Sequence, residues 1–197
     1  MSQKVVDIKC PGCGAPVTTS DVTCKFCRRP VIISTFNSVY DMPMPEVNKY
    51  AGAYKKALSE NPDNKELNTS VAMCYLKLKL YDKALEAFEK AIEDNSNNSE
   101  TFFYAAISLL KGKKAFVTPR KDIDKIEEYI QAALMIEPRG IYYYLLAYIK
   151  YDYFKRKYLI TNPTYTEALK MAEQAGYSAY DIEQLYTILG VERPEEL

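Results

Sequence analysis

At 197 residues, with 48% hydrophobic and 26% charged side chains, the chain reads as a folded main domain with a small appendage. Twenty-six basic residues balance twenty-six acidic ones, so no whole-chain field calls for nucleic acid or a membrane surface. Histidine is absent, which removes the commonest general base and the commonest ligand of catalytic metals, and no other catalytic set stands out.

The segment from Met1 to Asp7 lacks the apolar core of a signal peptide, and no apolar run approaches the ~20 residues that span a bilayer. A cytoplasmic chain with no membrane partner is the expectation. Next come Cys10-Pro11-Gly12-Cys13-Gly14 and, after ten intervening residues, Cys24-Lys25-Phe26-Cys27. Two C-x-x-C pairs suit a tetrahedral tetrathiolate zinc site, because the short gap lets both sulfurs of a pair face one ion. Disulfides are disfavoured in a reducing compartment, and a redox C-x-x-C would need a βαβ setting that is missing. One structural zinc on Cys10, Cys13, Cys24 and Cys27 is predicted, with no open position for catalysis.

This stretch resembles a short zinc ribbon over residues 1–36, with Val5–Ile8 and Val31–Thr35 as its strands. Gly14 fits the turn after the first pair, whereas Arg28 departs from that pattern. Lys9, Lys25, Arg28 and Arg29 cluster here. They either offset the charge of the tetrathiolate site or contact an anion or nucleic acid.

Residues 37–45, with Pro43 and Pro45, read as a linker. A helix follows to about Ser59. Then come two helices joined by a short turn, Leu67–Leu78 and Tyr81–Ile92, with Asp82 as a candidate N-cap for the second. Ala72, Tyr75, Ala84, Phe88 and Ala91 fall where a tetratricopeptide repeat places its marks, and the hairpin resembles that family. Ser96 stands where the repeat has its late proline. The helix before the hairpin resembles a second repeat helix whose first helix is missing, so the ribbon should sit near that open end.

Further helices are expected over Ser99–Lys111, Asp122–Ile136, Ile141–Lys157, from Thr164 to Gly176, and over Ala179–Leu189. Capping boxes are read at Thr164 with Glu167 and at Ser178 with Asp181. The resemblance thus implies a mainly α protein, a right-handed stack of helical hairpins over residues 46–197, with a small β ribbon in front. Carried over by register, it implies a partner groove lined by Thr69, Met73, Phe103, Ile107, Tyr142, Leu145 and Ile149.

Between two of these helices, Lys111 to Lys121 holds Lys113, Lys114 and Arg120 and no acidic residue. It is a tolerated insertion or a contact loop, and adds three candidate anion contacts. The implied function is a non-enzymatic adaptor for a protein or peptide. The alternative is nucleic-acid association through the basic residues of the ribbon and this loop. Residues 46–190 are expected to stay helical without the metal, and Cys74, on a packing face, to be inert.

Overall fold

The computed structural model describes residues 5–93 and 97–197, so Ser96, read against the missing proline, lies outside the described residues. It is mainly helical, and its contacts divide it into two compact units, Met1–Ser96 and Asn97–Leu197.

In the first unit, β1 (Asp7–Lys9) and β2 (Pro16–Thr18) pair antiparallel with Ile8 opposite Val17. The second strand expected at Val31–Thr35 does not form, apart from a single bridge between Thr23 and Pro30. The backbone of that segment finds other partners. Tyr54 Oη donates to the Val31 carbonyl at 2.8 Å, Tyr50 Oη donates to Pro30 O at 3.2 Å, and Ile33 N–H donates to Ser70 Oγ at 3.0 Å. Once these groups are satisfied by side chains, a sheet ladder is not required.

Those side chains belong to α2 (Met44–Glu60) and α3 (Lys65–Lys77), which pack on each other, while α3 also packs on α4 (Tyr81–Ile92). Pro45 sits in the first turn of α2, where its missing N–H is harmless. Part of the expected linker forms the short α1 (Asn37–Tyr40), which packs on α3 with Phe36 and Val39 buried. Val31, Ile33, Phe36 and Val39 are buried alongside Tyr50 and Tyr54 of α2. The ribbon's trailing segment therefore lies against the helices that lacked a preceding partner.

Asp82 is not the N-cap of α4. Lys79 turns into the left-handed region with φ +57°, and Leu80 N–H returns to Tyr75 O at 2.8 Å. This closes α3 and makes Leu80 the first half-helical residue of α4, leaving Asp82 in its first turn. Ala72 and Ala84 are fully buried, consistent with close approach of α3 and α4.

In the second unit, α5 (Ser99–Leu110) packs on α6 (Arg120–Ile136), α6 on α7 (Gly140–Ile149), and α7 on α8 (Tyr165–Ala175), while α9 (Ala179–Leu189) touches α5. Both expected capping boxes form. The tyrosine-rich helix changes character after Ile149, widening into a π turn over Lys150–Phe154 and tightening into a 3-10 turn over Lys155–Lys157. A Cβ at Gly140 would stand 2.2 Å from the Gly176 carbonyl oxygen, so only glycine lets the start of α7 pass the end of α8.

Candidate metal centre

The sulfurs of Cys10, Cys13, Cys24 and Cys27 all lie within 4.8 Å of one another, a grouping that could hold a metal ion. Cys10 Sγ is 3.6 Å from Cys27 Sγ, and Cys13 Sγ is 3.7 Å from Cys24 Sγ. A tetrahedron with metal–sulfur bonds of about 2.3 Å has edges of about 3.8 Å. All five cysteines of the chain are free thiols, so the cluster is not a pair of disulfides.

The cage is two copies of one turn. Gly14 N–H donates to Cys10 O at 2.8 Å, and Arg28 N–H donates to Cys24 O at 2.8 Å. Cys10 N–H reaches Ala15 O at 2.8 Å, and Cys24 N–H reaches Arg29 O at 2.9 Å. Gly14 and Arg28 then take equivalent left-handed conformations, φ +82° and +58°. The departure at Arg28 is thus absorbed without changing the turn, at the steric cost of a Cβ in that region.

Within each turn, N–H groups aim at the first sulfur. Those of Cys27 and Phe26 bring the Cys24 thiol down to about 7. Those of Cys13 and Gly12 act on Cys10, but burial prevails and pushes its thiol up to about 12. Donors held on a sulfur favour the thiolate, the form that binds a metal. Cys10, Cys24 and Val31 form the buried centre of the ribbon, with Ile8, Ala15, Val17 and Ile32 packed around it.

The cage is tied to α2. Arg29 Nη1 pairs with Glu46 Oε1 at 2.6 Å, and Lys49 Nζ donates to Gly12 O at 2.5 Å. Of the candidate anion contacts in the ribbon, Arg29 is therefore engaged, while Lys9, Lys25 and Arg28 are exposed, as is the ring of Phe26. In the second unit Arg120 pairs with Asp124 at 2.7 Å, and Lys113 and Lys114 are exposed.

The residues assigned to a partner groove are placed differently. Thr69, Met73, Phe103, Ile107, Tyr142, Leu145 and Ile149 are all buried and offer no open lining. The Phe103 ring packs on the Tyr142 ring at 4.6 Å, and the Tyr142 hydroxyl lies 2.9 Å from Ser99 Oγ. In α5 and α7 nearly every position is buried and in α3 most are, so helical register alone does not separate a groove face from a packing face. Cys74 is also buried, and burial pushes its thiol up to about 12.

The network at the π turn was not legible in advance. Phe116 N–H donates to Asp152 Oδ2 at 2.8 Å, Ala115 N–H to Tyr148 Oη at 3.3 Å, and Lys150 Nζ to Thr161 Oγ1 at 2.6 Å. The 111–121 insertion is thus pinned, with Ala115 and Thr118 buried. The one available signal was the pair Lys150 and Asp152 inside an otherwise apolar helix.

Residues 51–102 match the family model described as tetratricopeptide repeat. A solved structure titled "MamA MSR-1 C2" is similar over 78% of this chain and 76% of that one, at 16% identity and a TM-score of 0.45. No curated protein matches the sequence. The helical hairpin of α3 and α4 lies inside the matched segment.

Proposed function

We propose that the chain is a non-enzymatic interaction adaptor in which a tetrathiolate zinc ribbon closes the open end of a tetratricopeptide-repeat segment. The observation that carries the metal part is the set of four sulfurs within 4.8 Å of one another, two pairs of them near tetrahedral-edge spacing, inside two equivalent turns. Zinc fits best, because a closed four-thiolate site with no preference for planar or octahedral geometry is its usual structural environment. Held by four protein ligands, the ion stabilises the ribbon and activates no water.

The adaptor part rests on the repeat, since such hairpins are built to stack and to present surface to protein or peptide partners. With the seven register-derived groove positions buried, contact falls to exposed side chains on the loops and outer faces. The second reading, nucleic-acid association, is favoured by one feature, the exposed Phe26 ring flanked by Lys25 and Arg28. Affinity for nucleic acid that drops steeply with salt would select it over the adaptor.

Metal analysis of chelator-free protein tests the first part. One zinc per chain is expected, and Cys24→Ser should lose it; a metal-free preparation with folded ribbon amides would overturn the assignment. For the adaptor, a partner captured by the intact chain should reconstitute a complex from two purified proteins. Failure of every captured candidate to do so would sink that reading.

A further inference from the structure

We propose that the second unit carries a docking surface for an anionic lipid bilayer, formed by the apolar tip Tyr158-Leu159-Ile160 and the neighbouring lysines. The zero net charge of the whole chain conceals this local arrangement.

The tip is built to stand out. Tyr158 is 93% exposed, Leu159 43% and Ile160 102%, and Val117 on the adjoining insertion is 64% exposed. Both loops are fastened to the same π turn. The insertion is held through Phe116 and Ala115 as described. The tip is held by Leu159 N–H on Phe154 O at 2.9 Å and by the buried Lys150, which bridges Thr161 and Glu127. Arg156 and Lys157 lie over the Phe116 ring at 4.6 and 5.1 Å, joining the loops side to side. The exposure therefore belongs to an ordered conformation.

Tyr158 sharpens the point. It takes a left-handed backbone conformation, φ +57°, which disfavours a bulky L-residue. Its side chain is almost wholly exposed, so packing within the protein does little to offset that cost. An apolar tip held outward against both backbone and hydration preferences suits insertion into an interface.

The charges select the kind of interface. The two nearby arginines are each paired with a carboxylate of the same helical turn, Arg156 with Asp152 at 2.5 Å and Arg120 with Asp124 at 2.7 Å. The lysines are left. Lys113, Lys114, Lys121 and Lys155 are exposed and make no ion pair among the described residues, and Lys157 has aromatic rings but no carboxylate against it. Compact ammonium charges on flexible stems suit a diffuse anionic surface, whereas planar arginine forks suit defined carboxylate or phosphate partners. A protein partner would have to offer a pocket matching a protruding tip, while a bilayer accepts one between its headgroups.

The test is flotation of the full-length, metal-loaded chain with phosphatidylcholine vesicles, with and without phosphatidylserine, at low and high salt. Binding is expected with phosphatidylserine only, falling as salt rises. Tyr158→Ser, Leu159→Ser and Ile160→Ser together should weaken it by about tenfold or more, with unchanged circular dichroism because these side chains are exposed. Lys113→Gln, Lys114→Gln and Lys155→Gln should each weaken it by about fivefold. No binding to phosphatidylserine vesicles at low salt, or equal binding by the serine variant, would overturn the proposal. So would capture of a poly-glutamate peptide by a chain that leaves the vesicles alone, since that would assign the tip to an acidic protein.

Discussion

The ribbon and the turn after α7 solve the same problem with opposite means. Each must hold irregular backbone in one conformation. In the ribbon the apolar centre is small, Cys10, Cys24 and Val31 with a few half-buried neighbours, and two of its three buried members belong to the cysteine cluster. Around the π turn the apolar supply is ample, since Tyr144, Tyr148, Ile149, Tyr153 and Phe154 are all buried. There the irregular turn is fastened by backbone N–H groups that donate to Tyr148 Oη and Asp152 Oδ2 and by Lys150 Nζ, which donates to Thr161 Oγ1. Where apolar area is scarce, the proposed metal would hold the conformation; where it is plentiful, polar side chains can shape the backbone within it.

The largest effect should come from taking away the metal. Apparent binding free energies of structural zinc are about 10–16 kcal/mol, more than a segment with so small a core can replace. Because Tyr50, Tyr54 and Ser70 bond to Pro30, Val31 and Ile33, the loss should spread from the ribbon into α2 and α3. This differs from the expectation that residues 46–190 keep their helices unaided. Hydrogen exchange after chelation should show lost protection through α2, with the amides of α5 to α8 unchanged. Full protection in α2 without metal would mean that the ribbon merely rests on the helices.

A pair of glycines gives the next contrast. Gly140→Ala should cost about 3 kcal/mol, since the new methyl meets the Gly176 carbonyl and backbone must shift. Gly52→Ala, in the middle of α2 with open space around it, should stabilise by about 1 kcal/mol. Urea unfolding of the metal-loaded chain reads both signs. Equal effects would show that the close approach at α7 relaxes freely.

The smallest effect probes the pseudo-symmetry of the cage. Arg28→Gly should make the second turn like the first and raise stability by about 1 kcal/mol, seen as slower zinc loss to a competing chelator. Faster loss would mean that the Arg28 side chain supports the cage in its own right.

The sequence alone determined those features that depend on short-range rules. Four cysteines at C-x-x-C spacing lead to one cage because the gap is local. Thr164 with Glu167, Ser178 with Asp181, and Pro45 at a helix start work through bonds within a single turn. The match to a repeat model over 51–102 was legible because Ala72, Ala84, Phe88 and Ala91 keep a fixed register. Tertiary structure decided everything that needed a distant partner. Val31 to Thr35 has strand-like residues, yet Tyr54 and Ser70 took its backbone bonds. Phe103 and Tyr142 have the composition of a recognition groove, yet they pack on each other. Lys150 and Asp152 sit in an apolar helix without visible purpose until Thr161 and the Phe116 amide are brought to them. Register states which residues share a side of a helix. Only packing decides whether that side meets solvent, because the same apolar stripe is stable wherever another surface removes it from water.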